Sequence, residues 1–200
     1  MKKLAAVVFV SVIAVPARGQ QSVATVQYRS PVGVEYRSQA DTGPVARAQR
    51  ALADDPRNVD KIVALGVAQS GARQFREAIQ TFTRGLEVAP DNALLLRWRG
   101  HRYLSIREFD RALTDLTNGS QRDSTIYGIW YHLGIVRYAR ADFGGAADAF
   151  GGAQREAPDV GELAGSTDWL WMALSRAGRK AEAQCPFRST RIFLAPLPTT

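Results

Sequence analysis

Residues 86–92 read LEVAPDN and residues 154–160 read QREAPDV, so an Ala-Pro-Asp triplet recurs with Pro90 and Pro158 separated by 68 positions, twice 34. Pro56, in LADDPRN, lies 34 residues before Pro90, and the remaining slot holds the turn-forming Ser124. Proline ends a helix because it has no N–H to give to the backbone ladder. Breakers at one constant interval therefore mark the joints between stacked copies of a single unit.

Stepping by 34 keeps four columns in register over three copies. Leu65-Gly66 leads to Arg99-Gly100 and Leu133-Gly134, and Ala78 leads to Ala112 and Ala146. Phe82 leads to Leu116 and Phe150, and Gly85 to Gly119 and Ala153. The small columns let two helices of one unit cross at the usual separation of ~8–10 Å, and the large apolar columns fill the volume between units. Apolar spacings of three and four in IVALGVAQ (62–69) and FREAIQTFTRGLEV (75–88) carry the helical period. Between helices, SGARQF, SIREFD and ARADFG are short polar turns, each bringing in an aromatic residue.

This pattern resembles the tetratricopeptide repeat, a helix-turn-helix unit of 34 residues. The best copy is 127–160, with Trp130, Leu133-Gly134, Ala146, Phe150, Ala153 and Pro158 in the family's columns. The resemblance implies an all-α fold, a right-handed α-solenoid of stacked antiparallel helix pairs. Its array covers 42–184: a leading helix at 42–58, repeats at 59–92, 93–126 and 127–160, and a partial repeat at 164–184. Thr42 is the expected N-cap of the leading helix, with Pro44 in its first turn and Pro56 at its end. In the partial repeat, Gly178 and Ala183 fit the columns only after a three-residue insertion near DVGELAG. Arg99 stands where the family carries leucine. It should reach Asp115 on the partner helix, because a buried guanidinium without a carboxylate is costly.

The flanks read differently. Residues 1–19 combine MKK, a 12-residue apolar run and the break PARG, the layout of a secretory signal peptide. The run is shorter than the ~20 residues a spanning helix needs, so no stable membrane anchor is expected after cleavage. The expected location is periplasmic or extracellular. Residues 20–41 read as extended or disordered, with a doubled YRS of no repeat meaning, and 185–200 as an irregular tail that either covers the open end or truncates a repeat. The one cysteine, Cys185, cannot form an internal disulfide, so stability must come from packing.

The net charge of +7 becomes +4 once Lys2, Lys3 and Arg18 are removed. The arginines are interleaved with acids rather than clustered into a stripe, which argues against nucleic acid. No catalytic constellation, metal-ligand spacing or cofactor motif is found. His101 and His132 fall on first helices of neighbouring units, where a polar or stacking role outweighs a metal site. FGGAADAFGG lacks the strand and spacing of a phosphate loop. The reading is of a non-enzymatic interaction module of the bacterial cell envelope, binding a protein or peptide.

Helical spacing from the glycine column gives the inward positions. They run Val63, Arg97, Tyr131, Asp168; then Val67, His101, Ile135, Met172; then Ser70, Leu104, Tyr138, Ser175. Arg97, His101, Tyr131, Ile135, Tyr138 and Met172 form the expected partner-binding groove, since aromatic residues and arginine dominate binding hot spots. Family members that hold the acidic chain ends of heat-shock chaperones use lysines and asparagines in this groove. Val63 and Val67 depart from that set. The alternative is a homo-oligomer, a structural repeat protein associating through its incompletely capped C-terminal end.

Overall fold

The computed structural model describes residues 24–184 of the chain. The expected signal peptide at 1–19 and the expected tail at 185–200, with Cys185, lie outside the described residues. Two short strands come first, β1 (Val26–Arg29) and β2 (Glu35–Arg37), followed by the leading helix α1 (Pro44–Ala53). Three helix pairs follow: α2 (Val59–Gly71) with α3 (Phe75–Val88), α4 (Ala93–Ser105) with α5 (Phe109–Arg122), and α6 (Tyr127–Ala139) with α7 (Phe143–Arg155). The last elements are α8 (Val160–Arg176) and α9 (Lys180–Ala183). First helices begin at 59, 93 and 127 and second helices at 75, 109 and 143, so the 34-residue period of the sequence is the period of the solenoid.

Each pair closes through the glycine column. A Cβ on Gly66 would come within 2.3 Å of the Phe82 ring, one on Gly134 within 2.5 Å of the Phe150 ring, and one on Gly100 within 2.8 Å of Leu116. Phe82, Leu116 and Phe150 are fully buried, as are Ala78, Ala112 and Ala146 beside them. The core is accordingly a series of clusters, one per pair, each shared with the first helix of the next unit.

The turns inside the pairs repeat as closely. Arg73, Arg107 and Ala141 adopt left-handed backbone (φ 53, 65 and 62°), and Gly178 does so in the fourth unit (φ 75°). In each turn the following N–H returns to a carbonyl five residues back, as Asp142 N does to Arg137 O at 2.9 Å. That is the Schellman closure of a helix end, for which glycine is the unstrained residue. Three of the four turns therefore hold a side chain against its preference.

In the second unit Arg99 reaches Asp115 as expected. The fork is bidentate, Nε to Oδ2 at 2.7 Å and Nη2 to Oδ1 at 2.8 Å, and Nη1 also donates to Thr83. Asp115 is 4 % exposed. The same two slots hold Leu65 and Thr81 in the first unit and Leu133 and Ala149 in the third.

Three local expectations change. The leading helix is not capped by Thr42: Gly43 takes the N-cap position at φ 116°, and the Asp41 carboxylate accepts from the N–H groups of Gly43, Val45 and Ala46. One carboxylate with two acceptor atoms satisfies three orphan donors, which a single hydroxyl at position 42 could not. The segment before it forms an antiparallel hairpin in which the doubled YRS pairs, Tyr28 opposite Tyr36 and Arg29 opposite Glu35. The buried Gln27 anchors the hairpin to α3: its Oε1 accepts from Arg76 N at 2.8 Å, and Arg76 Nε donates to its carbonyl at 2.9 Å. The partial repeat begins at Val160 rather than 164. At 17 residues against 13 in α6, α8 absorbs the insertion as an extra turn, with Asp159 as its N-cap.

Two stability predictions follow from these contacts. Asp115→Ala strands the Arg99 guanidinium and should cost about 3 kcal/mol, while Arg99→Leu/Asp115→Ala, which copies the third unit, should recover most of it. Urea-denaturation midpoints decide this, and a double variant no more stable than the single one refutes it. Ala141→Gly relieves left-handed backbone and should raise stability by about 0.5–1 kcal/mol, read as a higher thermal midpoint.

Candidate functional site on the first helices

The first helices of neighbouring units touch, α2 with α4 and α4 with α6. Asn92 starts α4 by accepting from Leu95 N at 2.9 Å, which fixes the phase that carries Arg97 and His101 toward α6. The Arg97 guanidinium lies 3.8 Å from the centroid of the Trp98 ring. It also lies against Gly128, where a Cβ would meet Nε at 2.5 Å. Gly128 is thus the space that Arg97 occupies.

His101 and His132 meet face to face, ring centroids 3.8 Å apart and planes 31° from parallel. His132 Nδ1 bonds the Gly128 carbonyl; a carbonyl only accepts, so the proton sits on Nδ1. His101 Nδ1 is buried with no hydrogen-bond partner. Burial, and then the Arg97 charge, push the His132 pKa down to about 4. His101 is pushed far below the ordinary imidazole value by burial first, then by His132, Arg102 and Arg97. Both rings are neutral at pH 7.

The contact belongs to a longer series of rings. It runs from Phe82 through Trp98, His101, His132, Tyr131, Phe150 and Trp169 to Tyr138 and Phe143, with centroid separations of 3.8–6.3 Å. The series links helices of all four units. Tyr131, Ile135 and Tyr138 are half-buried and pack against the core of α7 and α8. Met172 is half-buried on α8. The structure therefore places Arg97 and His101 on α4, joins His101 through His132 to Tyr131, sets Tyr131, Ile135 and Tyr138 together on α6, and puts Met172 one unit further along on α8.

Sequence reasoning missed Arg102. It is 7 % exposed, its guanidinium lies 5.2 Å from the Phe75 ring centroid, and its Nε has no partner. Burial, with Arg97 adding, lowers its pKa to about 10. Burial lowers that of Arg97 too, opposed by the Glu162 charge. Glu162 accepts from the Tyr127 hydroxyl at 2.7 Å. Among the described residues neither Arg97 nor Arg102 makes an ion pair, whereas Arg99 on the same helix does. The signal was legible: between Asp91 and Glu108 the chain has four arginines, three of them on α4, and no acid. Such a surface offers guanidinium forks to a carboxylate. Among the described residues no three His, Cys, Asp or Glu side chains are placed to hold a metal ion.

The neutral histidine pair makes a pH prediction. Below about pH 6.5 the unfolded chain binds protons that the folded pair refuses, so stability falls as pH drops from 6.5 toward 4. For His132 alone the loss should reach about 2 kcal/mol at pH 5. Urea titrations at pH 7 and pH 5 should show it, and His132→Asn should flatten the difference; an equal slope in both proteins refutes the assignment.

No protein-family model matches the chain. Over 143 residues it is 27 % identical to the heat-shock protein cognate co-chaperone sgt12 of Aspergillus fumigatus, covering 68 % of this chain and 40 % of that one. Over 99 residues it is 31 % identical to protein bimA of Emericella nidulans, covering 46 % of this chain and 12 % of that one. The chain thus spans well under half the length of these two relatives. Among solved structures, a crystal structure of MamA superposes with TM-score 0.62 at 19 % identity, covering 72 % of this chain and 82 % of that one. A second MamA crystal structure gives 0.61 at 19 %, covering 72 % and 76 %. With its period, its small-residue columns and its stacked helix pairs, the chain is a tetratricopeptide-repeat solenoid.

Proposed function

We propose that this solenoid is a non-enzymatic adaptor, exported to the cell envelope, that holds a carboxylate-bearing segment of a partner protein on its first helices. The observation that carries the reading is the pair Arg97, half-buried, and Arg102, buried, on a helix without acids and without an ion pair among the described residues. Two uncompensated cations are costly in a fold. A carboxylate from outside compensates them, with Trp98 and Tyr131 supplying the aromatic walls that anchor a peptide. The likeness to a co-chaperone supports a protein partner. Val63 and Val67 give the first unit no polar group for an acidic chain end, so the contact centres on the second and third units. Export rests on the reading of residues 1–19.

The test is capture from an envelope extract of the native cell. The chain and its Arg97→Ala/Tyr131→Ala variant, checked for equal helicity, are immobilised and the retained proteins identified by mass spectrometry. A partner whose retention falls by about tenfold or more in the variant is the expected result, the loss of one charged hydrogen bond being about 1.5–3 kcal/mol. Equal retention on both chains overturns the reading.

A further inference from the structure

One groove of the repeat is filled differently in each unit. In the second unit it holds a guanidinium: Arg99 forks onto Asp115 and reaches Thr83 on the preceding helix. In the third it holds an indole. Trp130 fills the space left by Gly152, where a Cβ would meet its ring at 2.7 Å, and its Nε1 donates to the Ser124 carbonyl at 2.7 Å. The residue 34 positions before Arg99 is Leu65, and the residue 68 positions before Trp130 is Ile62. Both are shorter side chains, and in the first unit a hollow of about 480 Å³ lies between α1, α2 and α3. Pockets that hold small ligands span roughly 300–1,000 Å³.

Leu52, Ile62, Leu65 and Val88 are the apolar walls, and Gln69, Thr81 and Arg84 form a polar end. Thr81 is 1 % exposed; its Oγ1 donates to Gln69 Oε1 at 2.7 Å and accepts from Arg84 Nη2 at 3.4 Å. Gln69 is 7 % exposed, and with its Oε1 engaged it keeps Nε2 as a donor. Two donors, one of them cationic, thus converge beside Thr81 at one end of an apolar slot. Among the described residues Arg84 makes no ion pair, whereas Arg99 of the next unit does. Glu87, one turn along α3, also lines the hollow.

We propose that this hollow binds a small planar aromatic acid. The ring takes the place that Trp130 takes in the third unit, and a ring N–H reaches the Pro56 carbonyl as Trp130 reaches that of Ser124. The carboxylate accepts from Arg84 and from Gln69 Nε2, as Asp115 accepts from Arg99 in the second unit. Glu87 opposes a second negative charge, so the ligand is a monocarboxylate. The hollow shares no residue with Arg97, Arg102 or the rings that hold them, and it stands independently of the partner reading.

Calorimetric titration of the full chain with indole-3-acetate tests it, with indole and indole-3-ethylamine as comparisons. The expected result is saturable binding of the acid with Kd about 1 mM or tighter, indole at least about fivefold weaker and the amine weaker still. Arg84→Ala should remove the advantage of the acid over indole. Leu65→Arg/Thr81→Asp copies the second unit and fills the hollow with a pair around which this chain already folds; Ile62→Trp/Arg84→Gly copies the third. Each should weaken binding of the acid at least about tenfold while helicity is kept. No saturable binding by the full chain overturns the proposal. So does equal affinity for acid and amine, or binding that survives both filled variants.

Discussion

Two helices approach to van der Waals contact only where one of them carries no side chain at the crossing. Gly66, Gly100 and Gly134 meet that condition against Phe82, Leu116 and Phe150, and everything else in the array follows from it. The crossing fixes the angle within a pair, and the buried aromatic or leucine then presents its far side to the next first helix. A pair without the glycine cannot transmit the same geometry. In the fourth unit that slot holds Trp171.

The second constraint is electrostatic. Helix α4 presents three arginines to an interior that gives only one of them a carboxylate. Arg99 is neutralised by Asp115 across the pair, so its role is within the fold. Arg97 and Arg102 are instead held by ring faces, Trp98 and Phe75, which accept a cation without removing its charge. Burial first, and then their field, keeps His101 and His132 neutral, so that two imidazoles stack where two imidazolium ions would repel. The ring series thus joins the units mechanically and places uncompensated charge at the same point.

The sequence made the periodic part of this legible and the rest only in fragments. Glycine and proline columns at 34 residues predict the starts of six helices because those residues act through backbone sterics, which are local. Arg99 with Asp115 could be paired because the column demanded leucine and only a carboxylate excuses an arginine. The N-terminal hairpin was not legible: three- and four-residue strands have almost no period, and what stabilises them is Gln27 docking on α3, a contact 49 residues away. The cap at Asp41 escaped because a carboxylate two positions before the helix competes with the nearer Thr42, and only geometry decides. Arg102 escaped for a related reason. Three inward columns per helix were read, and a buried cation between them contradicts the ordinary rule that arginine is exposed.

The two ends of the array show how the same physics yields opposite surfaces. Among the described residues helix α1 has no helix before it, yet it buries Val45 and part of Leu52 and leaves arginines, glutamine and alanines outward, a face that water covers at little cost. Among the described residues helix α8 leaves Val160 and Trp171 outward instead. A solenoid needs a polar face at each end to remain a monomer. The arginine charge on α4 and the exposed apolar side chains of α8 both lie on first helices. The second helices, with their small columns and buried rings, are already satisfied from within.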